Sequence, residues 1–175
     1  MDKECHGKGK VTHENGKVYI GDFVKHKKEG KGTEIFSDGT KYEGDYLNNK
    51  REGQGKLTFA DGSVYVGSHR DNRMGGVGIM QYPDGSMYQG DWERDQKQGH
   101  GTLTQADGKV YEGEWKDHKK HGHGKMTFPD GKVYIGNFAF NSFSGKGKLT
   151  FPDGAVYRVC ARVCETFPWL YISLQ

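Results

Sequence analysis

The chain has 175 residues, of which 33% are apolar, 28% are charged and 28 are glycine. That apolar supply is thin for a two-layer packed core, while 13% aromatic residues excludes simple disorder. A net charge of only +3 excludes a polycation built for nucleic acid, and three cysteines (Cys5, Cys160, Cys164) do not make a disulfide framework. The first residues, MDKECHGKGK, contain no apolar run and do not read as a signal peptide. No stretch approaches the roughly 20 apolar residues of a membrane-spanning helix. These features predict a soluble, cytoplasmic protein of a reducing compartment.

In chain order, one pattern recurs every 23 residues. A Gly-x-Gly starts at Gly7, Gly30, Gly53, Gly76, Gly99, Gly122 and Gly145. A turn pair follows at Asn15-Gly16, Asp38-Gly39, Asp61-Gly62, Asp84-Gly85, Asp107-Gly108, Asp130-Gly131 and Asp153-Gly154. A tyrosine follows each turn, at Tyr19, Tyr42, Tyr65, Tyr88, Tyr111, Tyr134 and Tyr157, and a further glycine stands two residues after the first six of these. Gly75 is the one glycine outside these columns. The turn pairs between alternating runs predict hairpins, because such turns need positive φ. In VYEGEW, alternation puts Tyr111, Gly113 and Trp115 on one face; in GKMTF, Gly124, Met126 and Phe128 share a face opposite Lys125 and Thr127. Polar stretches such as KDHKKH (116–121) read as loops between units, with early Asn and Asp suited to a second turn. Strands about 4.8 Å apart would advance roughly 10 Å per unit, giving a rod on the order of 70 Å. A helical reading fails, because glycine costs about 1 kcal/mol at each helix-interior position.

Y-x-G-x-[FYW], a charged loop, Gly-x-Gly and Asp-Gly at period 23 resemble the MORN (membrane occupation and recognition nexus) repeat. The resemblance implies an all-β, elongated, single-layer antiparallel β-meander of hairpins, a MORN-type rod. Residues 1–157 form the repeat array, about six and a half units, and 158–175 a divergent tail. The resemblance also implies a binding or scaffolding role, as in axonemal, membrane-junction and myosin-binding proteins. MORN arrays also stand beside catalytic domains, but here the repeats fill the chain and no enzyme is expected.

Two surfaces carry the expected function. The first is an aromatic face of Tyr42, Tyr46, Tyr65, Tyr88, Trp92, Tyr111, Trp115, Tyr134 and Phe138. A single sheet has no second layer, so this face reads either as internal packing or as an open groove for a protein segment. Within it, Glu34 replaces Leu or Met and His69 replaces Phe or Trp; a one-residue bulge turning Ile35 inward would relieve Glu34. The second is a basic loop rim of Lys27, Lys28, Lys50, Arg51, Arg73, Lys97, Lys119 and Lys120, facing an acidic protein or anionic lipid. The pattern ends at Phe140 and Phe143, where a basic surface should weaken. The leading reading is a non-enzymatic scaffold for a protein partner of unidentified class, cytoskeletal or ciliary. The alternative is peripheral binding to an anionic membrane surface. Open sheet edges also permit a homodimer.

Other strings carry less. GHGKMT and GKGKLT lack the order of a phosphate-binding loop, and no helix follows to supply an anion site. His100 and His123 occupy one column but stand roughly 10 Å apart, too far to share one zinc. Asp22, Asp45, Asp91 and Glu114 read as solvated carboxylates paired with lysines across strands. No cofactor, metal or nucleic acid is expected. In the tail, Val156, Val159, Val163 and Phe167 have helical spacing before Pro168, so a short capping helix and a last strand are both open readings.

Overall fold

A computed structural model describes residues 6–161 and 172–173 of the chain. Among the described residues every regular element is a strand, and within each unit strands that follow one another in the chain pair antiparallel. They fall into two units, Met1–Pro83 with Trp92–Asp95, and Asp84–Asp91 with Gln96–Gln175. The first holds β1 (Gly7–Thr12), β2 (Val18–Val24), β3 (Lys27–Ile35), β4 (Lys41–Leu47), β5 (Lys50–Thr58), β6 (Val64–Arg70) and β7 (Arg73–Gln81). Strand β8 (Met87–Glu93) contributes to both units. The second holds β9 (Gln96–Thr104), β10 (Val110–Lys116), β11 (Lys119–Thr127), β12 (Val133–Ala139), β13 (Ser142–Thr150) and β14 (Val156–Ala161), with β15 (Ile172–Ser173) paired to β14.

The two kinds of turn use different chemistry. At Asp38-Gly39, Gly39 N–H donates to Phe36 O (3.0 Å) and Phe36 N–H to Thr40 O (2.8 Å). Only the glycine has positive φ (89°); the aspartate serves as acceptor, with Asp38 Oδ1 taking Thr40 N–H at 2.9 Å. The same bond recurs at Asn15, Asp61, Asp84, Asp107, Asp130 and Asp153. The second turn has two residues, both at positive φ, as in Asn48 (50°) and Asn49 (68°). This is the two-residue turn whose twist matches the flanking strands, built here without glycine.

The short second turn corrects the expected loops. Lys27, Lys28, Lys50, Arg51, Arg73, Lys97, Lys119 and Lys120 all lie in strands β3, β5, β7, β9 and β11. Within these strands the first glycine of each Gly-x-Gly takes positive φ, as at Gly53 (77°), and the register shifts there, as between Gly44 and Tyr46 against β5.

The core lies on one face of the sheet. Glycines pair with glycines across strands, Gly21 with Gly32, Gly44 with Gly55, and Gly113 with Gly124. The rings of Tyr19, Tyr42, Tyr65, Tyr88, Tyr111 and Tyr134 each lie over such a pair. A Cβ on Gly44 would come within 2.5 Å of the Tyr42 hydroxyl and of Gly55 Cα, and one on Gly55 within 2.6 Å of Tyr42 Cζ. The hydroxyl reaches the carbonyl three residues on, from Tyr42 to Asp45 (3.0 Å), Tyr65 to Ser68 (2.9 Å) and Tyr111 to Glu114 (2.8 Å). A ring can lie flat against backbone only where side chains are missing, which is the use of this glycine column.

The tail begins as strand: Val156–Ala161 is β14, which rules out the helical reading for those residues. The rest of that reading, through Val163 and Phe167, lies outside the described residues. In β14, Val159 stands opposite Gly147 where other units pair glycine with glycine. Tyr157, which precedes it, is only half-buried.

Adding one methyl group under a ring should therefore cost far more than adding one elsewhere. Gly55→Ala is expected to lower stability by about 2–3 kcal/mol in urea unfolding. Gly75→Ala, whose Cβ would meet nothing nearer than 3.9 Å, should stay within about 1 kcal/mol of the parent.

Candidate binding face

The aromatic side chains make an edge-to-face zipper. In the first unit Tyr19 meets Tyr46 (5.0 Å between centroids), Tyr46 meets Tyr42 (5.3 Å), Tyr42 meets His69 (4.9 Å), and Tyr65 meets His69 (5.2 Å) and Trp92 (5.3 Å). In the second, Trp115 touches Tyr88 (5.0 Å) and Tyr111 (5.3 Å), and Phe138 touches Tyr111 (4.8 Å) and Tyr134 (5.4 Å). The planes cross at 77–90°, the arrangement the ring quadrupole favours, at about 0.5–1.5 kcal/mol per pair. Trp92 and Trp115 indoles donate to the Gly78 and Gly101 carbonyls.

Burial decides what this face can offer. Tyr42, Tyr65, Tyr88 and Tyr111 are 0% exposed, Tyr134 1%, Phe138 3%, and Tyr46, Trp92 and Trp115 4%. The rings are interior packing, and an approaching molecule meets what covers them. Burial pushes the Tyr19, Tyr42 and Tyr111 hydroxyls up to about 12.

The cover is a row of cations. Alternation carried back through the Gly-x-Gly puts Lys28, Arg51, Lys97 and Lys120 on the tyrosine face. Lys28 Nζ lies 4.6 Å above the Tyr19 ring, Arg51 5.5 Å above Tyr42, Lys97 4.9 Å above Tyr88 and 5.2 Å from Trp115, and Lys120 5.3 Å above Tyr111. Such cation–ring contacts are worth about 0.5–2 kcal/mol. Burial, reinforced by Lys120, pulls the Lys97 ammonium down to about 8, and burial also lowers Lys120. Met74 occupies this column in the first unit, and Phe143 fills it at the far end, 4.2 Å from Tyr134. The neighbouring column stays outside. Lys27 donates to Asn48, Lys50 pairs with Asp71 at 2.5 Å, Lys119 lies against Phe140, and Arg73 is exposed.

The acidic column also has a structural task. Asp45 Oδ2 accepts Gln54 N–H (3.1 Å), Asp91 Oδ2 accepts His100 N–H (2.8 Å), and Glu114 Oε1 accepts His123 N–H (2.7 Å). These carboxylates hold the strand where the positive-φ glycine bends it. Lys31 pairs with Asp45 at 2.5 Å, and Lys8 stands 3.9 Å from Asp22.

The MORN repeat family profile matches residues 1–18, 19–41, 42–64, 65–87, 88–110, 111–133 and 134–156. The chain belongs to the MORN repeat family. Among curated proteins, none gives a significant sequence match. Similar solved structures include the SAS-4 (dCPAP) TCP domain of Drosophila melanogaster in complex with a proline-rich motif of Ana2 (dSTIL). It has 17% identity and a TM-score of 0.49, over 86% of this chain and 88% of that one. The wild-type TCP10 domain of Danio rerio CPAP has 15% identity and a TM-score of 0.36, over 96% and 88%. Both TM-scores are under 0.5.

Two MORN units depart from the column chemistry. Glu34 is not turned out by a bulge: it lies opposite Tyr19 and Tyr42 and is 4% exposed, whereas Ile35 is 39% exposed. Lys28 and Lys17 (3.0 Å) hold its carboxylate, and Tyr46 donates to it at 3.2 Å. Burial pushes the Glu34 carboxyl up, but the bonds from Lys28 and Lys17 outweigh it and leave the group below its usual range. His69 takes an aromatic place, with Nδ1 3.2 Å from Gly67 O and Nε2 buried with no partner among the described residues. Burial, and then the Arg51 guanidinium, push this imidazole down to about 4.

A His69 that stays neutral in the fold weakens the protein as acid is added. The unfolded chain takes up a proton near pH 6.5 and the folded one near pH 4, so stability falls as pH drops through that window. His69→Phe keeps the ring and removes the proton. Its stability relative to the parent is expected to rise between about pH 7 and about pH 4, by on the order of 2 kcal/mol after screening, read from urea midpoints. A pH-independent difference would contradict this.

Proposed function

We propose that this MORN array is a non-enzymatic scaffold that holds a protein partner across its tyrosine face. The cytoskeletal or ciliary setting that the family resemblance implies belongs to the same proposal. The observation that carries it is the cation row over the buried rings. Lys28, Arg51, Lys97 and Lys120 are held in place by ring contacts, so less side-chain freedom is lost when they engage a partner. Half-buried Phe36, Phe59, Phe128 and Phe151 add apolar surface. A segment bearing both carboxylates and apolar side chains matches that mixture.

The cation arrangement favours a protein over an anionic membrane. Lipid attraction needs basic side chains projecting toward a plane, each adding about 1 kcal/mol. Here five of the eight lie on rings, and Lys27 and Lys50 are bonded to Asn48 and Asp71.

The test uses charge reversal on each face. Partner capture from a cytoskeleton-rich extract should fall roughly ten-fold with Lys97→Glu and Lys120→Glu. Lys56→Glu and Lys148→Glu, on exposed lysines of the opposite face, should leave it unchanged. Equal effects on both faces, or loss only of vesicle binding, would contradict the proposal.

A further inference from the structure

Gly75, the one glycine outside the repeat columns, leaves a gap in the first unit. At its position the other hairpins carry a side chain that caps the next two-residue turn. Glu29 Oε1 accepts Asn48 N–H (2.9 Å), Glu52 Oε2 accepts Asp71 N–H (3.0 Å) and Gln98 Oε1 accepts Asp117 N–H (3.0 Å). His121 fills the position in the last of these turns, packed against Phe140. Gly75 supplies nothing, and Arg94 N–H, at the equivalent turn position, has no partner among the described residues.

Cations surround the missing acceptor. A recess of about 930 Å³ is lined there by Lys50, Arg70, Arg73 and Arg94, with Asp71 and Glu93. Four cations against two carboxylates leave a net of two positive charges. Arg70 and Arg73 stand directly opposite each other across the hairpin, a like-charge pairing that costs stability unless an anion relieves it. Lys50 is engaged by Asp71 at 2.5 Å, but the three arginines have no ion-pair partner among the described residues.

We propose that this recess binds a phosphate dianion carried on a phosphorylated side chain of a protein partner. A phosphate oxygen takes the acceptor place that Glu29, Glu52 and Gln98 fill elsewhere, on Arg94 N–H, and the arginine forks take the remaining oxygens. The charge of the recess matches a phosphate monoester better than a single carboxylate. A membrane surface is disfavoured because Asp71 and Glu93 share the rim. The phosphorylated partner rests on the reading of the chain as a protein-binding module; the anion site does not.

The intact chain should be titrated with inorganic phosphate and with N-acetyl-phosphoserine amide at low salt, by calorimetry and by amide shifts. One saturable site is expected, with shifts centred on Gly75, Gly76 and Arg94. Gly75→Glu restores the repeat's own acceptor where a Cβ has room, meeting Arg70 Cβ only at 3.9 Å. It should weaken both probes at least roughly ten-fold without lowering the melting temperature, and Arg73→Ala should weaken them with the fold retained. Undiminished binding in Gly75→Glu, no saturable binding in the parent, or shifts centred elsewhere would overturn the site. Binding only to phosphatidylcholine vesicles doped with phosphatidylinositol bisphosphate would overturn the phosphoprotein assignment. No partner is present in these titrations, so their outcome is independent of the capture experiment.

Discussion

A tyrosine ring lying flat on a pair of cross-strand glycines is the contact on which the rest of this fold depends. It lets a single layer of sheet bury a large aromatic side chain completely, because bare backbone serves as the floor of the core. The geometry allows no side chain at either glycine, since a Cβ at Gly44 or Gly55 would overlap Tyr42. It also satisfies the phenol, whose hydroxyl reaches the carbonyl three residues along. Apolar burial, hydrogen bonding and strand register are therefore fixed by one local arrangement, repeated every 23 residues.

That arrangement separates the positions that hold the fold from those free to vary. The tyrosines, the paired glycines, the turn glycines and the acceptors Asp45, Asp91 and Glu114 are occupied with structure. The slot above each ring accepts several kinds of side chain, including Lys28, Arg51, Met74, Lys97, Lys120 and Phe143. Recognition is most readily written into this slot and into departures such as Gly75, because changing them leaves the ring and its glycine floor intact.

Much of this was legible in the sequence because the period does not slip. The strands, the Asp-Gly turns, the shared face of Tyr111, Gly113 and Trp115, and the family all follow from column chemistry. The column of Lys28, Arg51, Lys97 and Lys120 reads as part of a basic loop rim, although alternation run back from Leu57 through Gly55 and Gly53 leads Arg51 to the tyrosine face. Dense charge at 116–121 reads as loop, whereas a two-residue turn at positive φ lets the strands run almost to the hairpin tip. Glu34 differs from its expected place for another reason. Burying a carboxylate alone is costly, which favours a bulge that expels it, but Lys17, Lys28 and Tyr46 converge on it from separate columns. The carboxylate bonds to backbone at Gln54, His100 and His123 depend on the positive-φ glycine before each, which spacing alone does not reveal.

Proton chemical shifts of the glycines test the central contact most directly. A Cα proton held beneath an aromatic ring is shielded by the ring current, and one in an exposed turn is not. Upfield-shifted Cα protons are expected at Gly32, Gly55, Gly78, Gly101, Gly124 and Gly147, each beneath a tyrosine ring. The turn glycines Gly39, Gly62, Gly85, Gly108 and Gly131 should show no such shift. Ordinary shifts at the paired glycines would mean that the rings do not lie on the backbone, and would contradict the packing on which both the fold and the proposed binding face depend.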